Sequence, residues 1–162
     1  MFRDMRRKAQ ELTREECIEI LKKATNGVLS VLGDDSYPYG VPLSYVYMDG
    51  KIYFHCAKTG HKLDAIKNSD KVCFTVVAQD DIKPEEFTTY FKSVVAFGRA
   101  RIMDEDETAL NAHIVLSEKY ACNVQERLEE ELKRAYSLMY MVEVELEHIT
   151  GKQAKELAKS NK

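Results

Sequence analysis

The sequence contains no tryptophan, only three prolines and no apolar run long enough to cross a membrane. Its basic start, Met-Phe-Arg-Asp-Met-Arg-Arg-Lys, leads into a charged stretch rather than into the apolar segment and cleavage site of a secretory signal. We therefore expect a cytoplasmic protein with no membrane partner.

The four cysteines have no two-residue spacing, which argues against a zinc knuckle or a thioredoxin-like pair. They are Cys17, Cys56, Cys73 and Cys122. We expect reduced and mostly buried thiols.

The four histidines show no metal-ligand spacing, so no metal site is predicted. They are His55, His61, His113 and His148. A Gly-x-Ser-x-Gly elbow, a P-loop and a Gly-x-Gly-x-x-Gly fingerprint are also missing. Cys56 and His55 cannot form a nucleophile and base pair, because adjacent strand residues face opposite ways.

The charge balance is nearly even, with 24 basic and 27 acidic residues, so a nucleic-acid partner is not expected. Hydrophobic content of 44% and charged content of 31% are ordinary for a globular chain. We predict one domain spanning residues 1–162.

Periodicity and turn residues predict an α+β fold, a six-stranded antiparallel barrel with peripheral helices. The predicted strands are 28–32, 39–48, 51–56, 71–78, 92–103 and 138–148. The predicted helices are an N-terminal helix at about 13–24, then 61–68, 104–120 and 125–136, and a C-terminal helix at about 152–159. The first of these opens on a capping-box pattern, Thr13-Arg14-Glu15-Glu16. Residues 79–89 are predicted to be a connecting loop.

Three local signals refine this prediction. Asp49-Gly50 is typical of a type I′ hairpin turn, and Gly98 indicates a bulge or a close backbone approach. Pro42 lies inside a predicted strand, where proline marks either an edge or a place where something other than a strand lies alongside, such as a flat ligand.

Residues 53–62 run from an alternating strand through a glycine-containing loop into a helix. Open N–H groups at a helix start favour an anion, and His55, Lys58, His61 and Lys62 add donors. Taken alone, the same pattern also fits a polar loop that opens a surface helix.

Three segments resemble the pyridoxamine 5′-phosphate oxidase-like superfamily of FMN-binding split barrels, and within it the 5-nitroimidazole-resistance-type branch. They are Tyr-Pro-Tyr-Gly-Val-Pro-Leu-Ser-Tyr at 37–45, Ile-Tyr-Phe-His-Cys-Ala-Lys-Thr-Gly-His-Lys at 52–62 and Ser-Val-Val-Ala-Phe-Gly-Arg-Ala at 93–100. The resemblance extends in the same order to Glu-His-Ile-Thr-Gly-Lys at 147–152, so it covers nearly the whole chain.

The resemblance implies FMN as the cofactor and a homodimer with FMN at the subunit interface. It places three groups of residues around the flavin. The ring contacts are Val41, Pro42, Leu43 and Ser44; the ribityl and phosphate contacts are His55, Cys56, Ala57, Lys58, Gly60, His61 and Lys62; Ser93 and Val94 are expected to serve the partner's flavin.

Departures from the family pattern argue against true pyridoxamine phosphate oxidase activity. The oxidase uses an Arg-x-His motif near its C-terminus, where this chain has Glu-Leu-Glu-His at 145–148, and it uses a tryptophan that has no counterpart here. His61 replaces an arginine, which makes phosphate binding more sensitive to pH.

The resulting hypothesis is an FMN-dependent oxidoreductase that passes electrons from a reduced nicotinamide or another donor to a small, electron-poor acceptor such as a nitroaromatic. No catalytic side chain is predicted. An alternative is a non-catalytic flavin-binding or haem-handling protein, for which His148 is the one loose haem-ligand candidate. A flavin-free dimeric binding module is a third reading.

Overall fold

The structure is a computed structural model that describes residues 2–121, 134, 136 and 138–160. The strands are β1 (Glu11–Leu12), β2 (Gly27–Leu32), β3 (Pro38–Leu43), β4 (Val46–Met48), β5 (Lys51–Ala57), β6 (Lys71–Lys83), β7 (Thr88–Ile102) and β8 (Met139–Gln153). The helices are α1 (Arg14–Lys23), α2 (His61–Asn68), α3 (Glu107–Tyr120) and α4 (Lys155–Ser160). None of these helices meets the length and apolarity that a membrane span requires. The predicted helix at 125–136 lies outside the described residues, apart from Arg134 and Tyr136, which are helical.

All strands belong to one antiparallel sheet in the order β3-β2-β6-β7-β8-β5-β4, and β1 pairs with β8. This confirms the α+β antiparallel fold. The strand count differs from the predicted six, because residues 39–48 form two strands and a two-residue strand precedes α1. β3 pairs with β2 while β4 pairs with β5, so the two strands lie at opposite ends of the strand order.

The break between β3 and β4 falls at Ser44 and Tyr45, and the prediction of one strand over 39–48 is wrong. The Tyr45 backbone N–H donates to the Tyr120 hydroxyl at 2.9 Å, and that hydroxyl lies 3.0 Å from the Tyr45 carbonyl oxygen. The buried Tyr45 hydroxyl donates to the Leu21 carbonyl at 2.8 Å. A side chain from α3 therefore satisfies backbone groups that a continuous strand would have paired.

The prediction of a loop at 79–89 is also wrong, because β6 and β7 continue as a hairpin to Lys83 and Thr88. A register shift lies between Val77 and Gln79. Pro84 opens a short 3₁₀ turn that ends at Phe87 in the left-handed conformation. This hairpin stands clear of the core, so its sequence carries no burial pattern that would predict a strand.

The barrel interior is filled by apolar side chains from the inner faces of the strands. The largest fully buried residues include Tyr45, Phe54, Phe74, Leu29 and Ile52. Each stabilises the fold by about 1.5 to 3 kcal/mol relative to exposure. A second, smaller cluster packs α3 against β4, β5 and β8, with Tyr53, Met141 and Leu116 among its members.

α1 inserts Cys17 and Leu21 into the barrel core. The predicted capping box at its start is confirmed: the Glu16 N–H donates to the Thr13 hydroxyl at 3.2 Å, and the Thr13 N–H donates to the Glu16 carboxylate at 2.7 Å. Such a cap stabilises a helix by about 1 kcal/mol.

Two glycines on β7 and β8 permit close backbone approach. A Cβ at Gly98 would lie 2.2 Å from the Glu145 carbonyl oxygen, and the register shifts beside it, which confirms the predicted bulge. A Cβ at Gly151 would lie 2.4 Å from the Cys17 sulfur. Because this packing keeps residues 150–153 in β8, the C-terminal helix begins at Lys155 rather than at about 152.

Candidate functional site at the split of the barrel

A cavity of about 210 Å³ opens where the barrel is split, between β3 at one end of the sheet, the last residues of β5 and the start of α2. It is formed where a strand leads through a short loop into a helix beside an unpaired sheet edge. Six of the predicted site residues line it: Val41, Cys56, Ala57, Gly60, His61 and Lys62.

The start of α2 supplies open backbone donors to this cavity. Gly60 is the N-cap with φ 133°, which favours glycine, and as a glycine it has no side chain with which to cap the helix. The N–H groups of Leu63 and Asp64 turn back to the Gly60 carbonyl at 2.9 and 3.2 Å. The leading N–H groups of a helix have no intrahelical acceptor and carry the positive end of its dipole, so this end of the cavity favours an anion.

His61 is held at the rim of the cavity by the turn between β2 and β3. Its ring stacks on Tyr39 with centroids 4.3 Å apart and planes 14° apart. Its Nε2 accepts a hydrogen bond from the Asp34 N–H at 3.3 Å and lies 3.7 Å from an Asp34 carboxylate oxygen. With Nε2 accepting, the ring proton sits on Nδ1, which makes His61 a donor on its other side.

Tyr39 and Thr59 also line the cavity but were missed from the sequence. Tyr39 had a signal: it lies two residues before Val41, so the two side chains share one face of β3. Thr59 lies in the loop between β5 and α2, and no sequence pattern distinguishes it from the other loop residues.

Lys62 is the cation whose charge remains available. Its ammonium lies 5.5 Å from the centre of the Phe54 ring, and it forms no ion pair with any residue in the described ranges. Burial raises the pKa of the Cys56 thiol and Lys62 partly opposes the rise, so the thiol is protonated and is not poised as a nucleophile. None of the described residues that line the cavity carries a carboxylate, so the positive charge of Lys62 is not offset there.

Two predicted site residues point elsewhere. Lys58 forms an ion pair with Glu105 at 2.7 Å, and that hydrogen bond raises its pKa. His55 faces α3, with its ring 5.7 Å from the ring of buried His113. Partial burial of the ring and, secondly, Lys62 lower the pKa of His55, although the residue keeps an exposed surface. The structure brings neither side chain into the cavity.

Pro42 and Leu43 lie on β3, which ends the strand order, so the edge position of Pro42 is confirmed, and Ser44 follows directly after the strand. Pro42 and Ser44 are exposed, while Leu43 packs against the barrel core. Whether a flat ligand lies beside this edge stays a prediction.

Ser93 and Val94 lie on β7, which two strands separate from β3. Val94 is fully buried in the core, and Ser93 is half-buried on the outer face of the sheet. Within one chain they do not join the cavity. The remaining histidine that was considered as a ligand, His148, stacks on Phe2 with centroids 4.7 Å apart.

Residues 13–153 match the family described as pyridoxamine 5′-phosphate oxidase. No curated protein matches the sequence.

Solved structures with the same fold include a candidate 5-nitroimidazole antibiotic resistance protein from Bacteroides thetaiotaomicron (16% identity, 88% of this chain and 86% of that one, TM-score 0.75). A conserved hypothetical protein from Mycobacterium tuberculosis is 16% identical over 94% of this chain and 92% of its own, with a TM-score of 0.80. An FAD-binding protein from Mesorhizobium loti is 21% identical over 90% and 97%, with a TM-score of 0.62. Likeness at these identities shows the shared split-barrel fold.

Proposed function

Because the chain belongs to the pyridoxamine 5′-phosphate oxidase family, we propose that it is a flavoprotein and that the cavity at the barrel split holds the phosphate end of FMN. The observation that carries the proposal is the uncapped start of α2 beside Lys62, whose ammonium has no carboxylate partner among the described residues. A phosphate there would receive backbone N–H donors and a charge-assisted hydrogen bond.

The donor set fits a phosphate ester better than it fits a metal ion. Lys62 and the Nδ1–H of His61 are donors, and the adjacent helix dipole presents its positive end. The open edge of β3, with exposed Pro42 on it and exposed Ser44 directly after it, offers a backbone rim to the flat flavin ring. Val41, Cys56 and Ala57 would flank the chain between ring and phosphate.

The cavity of one chain is too small to enclose the whole cofactor. Its 210 Å³ lies below the range of about 300 to 1,000 Å³ that small-molecule sites usually occupy. We therefore propose a homodimer in which the outer sheet face of a second copy closes the site. Val77, which is 66% exposed on that face, and the neighbouring Ser93 support this proposal, since an exposed valine gains from being covered.

The proposed activity is that of an oxidoreductase. Bound FMN would supply the transfer of electrons from a reduced nicotinamide or another donor to a small electron-poor acceptor such as a nitroaromatic. The chain's own residues bind the phosphate, hold the ring along β3 and exclude water from the ribityl side. This assignment names no catalytic side chain.

True pyridoxamine phosphate oxidation is not proposed. Where that oxidase has its Arg-x-His motif, the Glu147 carboxylate accepts a hydrogen bond from Arg99 at 2.8 Å and His148 stacks on Phe2. With His148 at the histidine of that motif, Leu146 stands where the motif has its arginine and offers no charge to a substrate phosphate.

The visible spectrum of the purified protein tests the proposal. We expect flavin bands, with FMN as the nucleotide released on denaturation, and uptake of added FMN by flavin-free protein. Released FAD would correct the cofactor, and a Soret band would favour the haem-handling alternative. Colourless protein that does not take up FMN or FAD would overturn the flavin assignment.

A separate measurement tests catalysis. The holoprotein should oxidise NADH or NADPH in the presence of quinones or nitroaromatics faster than the same concentration of free FMN does. Turnover no faster than that of free FMN would favour a binding role.

A further inference from the structure

The hairpin that continues β6 and β7, residues 79–90, extends beyond the barrel core. Its outermost strand pair lies five residues along β7 from Ser93, so the hairpin reaches about 17 Å past Ser93. Near its tip, Ile82 is 72% exposed and Phe87 is 98% exposed. Removing apolar surface from water is favourable, so the chain gains if a partner covers these two side chains.

The side chains of this hairpin continue the outer face of the sheet. Thr89 and Phe91 lie two and four residues before Ser93 on β7, so the three side chains share one face. Their pairing partners on β6 are Ile82 and Asp80. Directly opposite partners project to the same face, and the register shift in β6 preserves this match. The hairpin therefore presents Ile82 and Asp80 on the face that the second copy is proposed to cover.

The hairpin is also acidic. Residues 79–90 contain four carboxylates and one lysine, a net charge of −3. The four exposed carboxylates are those of Asp80, Asp81, Glu85 and Glu86. Asp81 accepts a hydrogen bond from the Gln79 amide at 2.8 Å, and Glu86 accepts one from the Tyr90 hydroxyl at 2.8 Å. None of the four forms an ion pair with another described residue, so the net charge of this acidic hairpin is not offset.

At the start of the described chain, residues 2–8 form a basic segment on the same outer face. The Phe2 ring stacks on His148 of β8 with centroids 4.7 Å apart. Further along β8, arginines of the segment line a pocket with Lys152, which is the neighbour of Ser93 on β7. His148 and Lys152 are four residues apart, so the basic segment follows β8 for about 13 Å. It therefore lies on the face from which the acidic hairpin extends.

The basic segment carries four cationic side chains and one carboxylate, a net charge of +3. Its Lys8 ammonium is paired, at 3.1 Å from Glu11 and 4.0 Å from Asp4. The cations that form no ion pair with a described residue are the guanidinium groups of Arg3, Arg6 and Arg7. No hydrogen bond or ion pair joins the described residues of the acidic hairpin to this segment in the same chain. Two opposite charges therefore share one face of the chain without neutralising each other.

A two-fold dimer places a condition on such a face. Both copies contribute the same patch, so a contact between two different groups occurs twice, once in each direction. The patch must therefore be complementary to itself. A face with an acidic hairpin and a basic segment of equal and opposite net charge meets this condition when each lies against its counterpart on the other copy. The two elements also have similar lengths, about 17 Å and about 13 Å.

We propose that the acidic hairpin of each copy lies on the basic segment of the other, so that two reciprocal contacts orient the homodimer. The inference rests on the homodimer of the proposed function and adds the contact that selects its arrangement. A second copy is the occupant because its basic segment supplies the charge that the hairpin lacks. Charges at the rim of an interface determine orientation and association rate more than affinity, and they repel wrong arrangements.

Charge reversal in paired variants tests this contact. D80K/D81K/E85K makes the hairpin positive, like the basic segment, and R3E/R6E/R7E makes the segment negative, like the hairpin. A homodimer of either variant would have two repulsive contacts, whereas a mixed dimer would have two attractive ones. We expect each reversal to raise the dimer dissociation constant about tenfold, measured by sedimentation equilibrium of the full-length protein with added FMN. After subunit exchange in an equal mixture, native mass spectrometry should find heterodimers as about 80% or more of all dimers, above the statistical half.

The matched control is D104K/E107K/E118K, which makes the same change of charge at exposed carboxylates beside and on α3 and keeps its N-cap Asp106. It should change the dimer dissociation constant less than about twofold. All variants should keep the circular dichroism of the wild type. Where a reversal lowers the unfolding midpoint, the neutral variants D80N/D81N/E85Q and R3Q/R6Q/R7Q replace it, and each should raise the constant about threefold.

A monomeric protein, statistical mixing of the two reversed variants, or equal weakening by the control would overturn the inference. Flavin uptake by the same samples separates it from the proposed flavin site. Statistical mixing in a dimer that binds FMN would retain the flavin site and overturn the hairpin contact. Preferred heterodimers in a protein that takes up neither FMN nor FAD would retain the contact and overturn the flavin assignment.

Discussion

The lysines near the two ends of β5 differ in whether a carboxylate is paired with them. At the start of the strand, Lys51 donates to the buried Glu143 carboxylate at 3.0 Å, and Tyr53 and Arg101 donate to the same carboxylate at 3.1 and 2.7 Å. Beyond its other end, Lys62 rests against an aromatic ring with no carboxylate partner in the described part of the chain. Charges that hold the sheet together are paired internally, whereas a charge left unpaired at a cavity can be completed by a ligand.

The pKa of Glu143 is lowered as a result of this pairing. Burial opposes ionisation of the carboxyl group, but hydrogen bonds from Arg101, Lys51 and Tyr53 together outweigh burial and lower its pKa. The same carboxylate, together with burial, raises the pKa of Tyr53. A group whose pKa is lowered on folding contributes stability above its ordinary pKa, and that contribution is lost as the pH falls through the folded value.

The largest effect is expected from Glu143→Gln, which removes the charge at the paired end. We expect a loss of about 2 to 4 kcal/mol in the free energy of unfolding at pH 7. This loss is at the low end for a broken buried ion pair, because water can hydrate the cations that remain. Arg101 and Lys51 are 54% and 33% exposed, which allows this. Urea denaturation measures the difference.

The control for that prediction is Glu145→Gln, an exposed carboxylate two residues along β8, which should leave stability nearly unchanged. From the sign of the Glu143 shift, the difference between wild type and Glu143→Gln should be full near neutrality and shrink in acid. A difference that grows as the pH falls below 5 would contradict the assignment of Glu143 as an ionised, paired group.

Lys62→Ala tests the unpaired end. We expect FMN binding to weaken by about 1 to 3 kcal/mol, because a charge-assisted contact with the phosphate is lost. Flavin fluorescence titration measures the affinity. Lys58→Ala removes a cation four residues earlier that is already bound to Glu105, so its FMN affinity should stay close to that of the wild type. Equal losses in the two variants would indicate a general field rather than a phosphate contact.

Tyr39→Leu tests whether the tyrosine ring that stacks on His61 helps to position the cavity. The substitution keeps an apolar side chain on β3 but removes the ring that stacks on His61, and aromatic stacking of this kind contributes about 0.5 to 1.5 kcal/mol. We expect FMN affinity to fall by no more than that amount. Tyr37→Leu, at an exposed tyrosine just before β3, should have no effect, and an equal loss there would rule out a specific role for the stack.

The smallest effect is expected from Glu105→Gln, which breaks the exposed ion pair with Lys58. Exposed pairs contribute little because water and salt screen them. Neither the urea midpoint nor the FMN affinity should change measurably. A gain in FMN affinity would mean that the released Lys58 ammonium reaches the flavin site.

Local signals in the sequence predicted the elements whose geometry is set locally. Thr13 and Glu16 predicted a capping box, and Asp49-Gly50 predicted a turn whose two residues have φ of 50° and 81°. The loop at 79–89 was predicted wrongly because a solvent-exposed hairpin has no buried face. The break at Ser44 and Tyr45 could not be predicted, because it depends on a distant tyrosine.

The residues of the candidate site likewise divide into those that local sequence signals predicted and those whose position depends on the tertiary fold. The glycine-containing loop and the helix start predicted Gly60, His61 and Lys62 at the cavity, whereas Val41, Cys56 and Ala57 were expected there only from the resemblance to FMN-binding split barrels. Lys58 and His55 lie in the same segment but turn toward Glu105 and His113, partners that only the tertiary fold supplies. Sequence spacing predicts which residues lie near one another, whereas tertiary packing determines which way each side chain points.

The hydroxyl of Tyr120 has a consequence for the order in which this protein folds. It contacts the Tyr45 backbone across 75 residues of chain, and the adjacent Lys119 ammonium donates to the carbonyls of Ala24 and Tyr45 at 2.6 and 3.1 Å. Contacts that close so long a loop have a large entropic cost and form slowly. We therefore expect the break between β3 and β4, at Ser44 and Tyr45, to take its final shape only after α3 has docked.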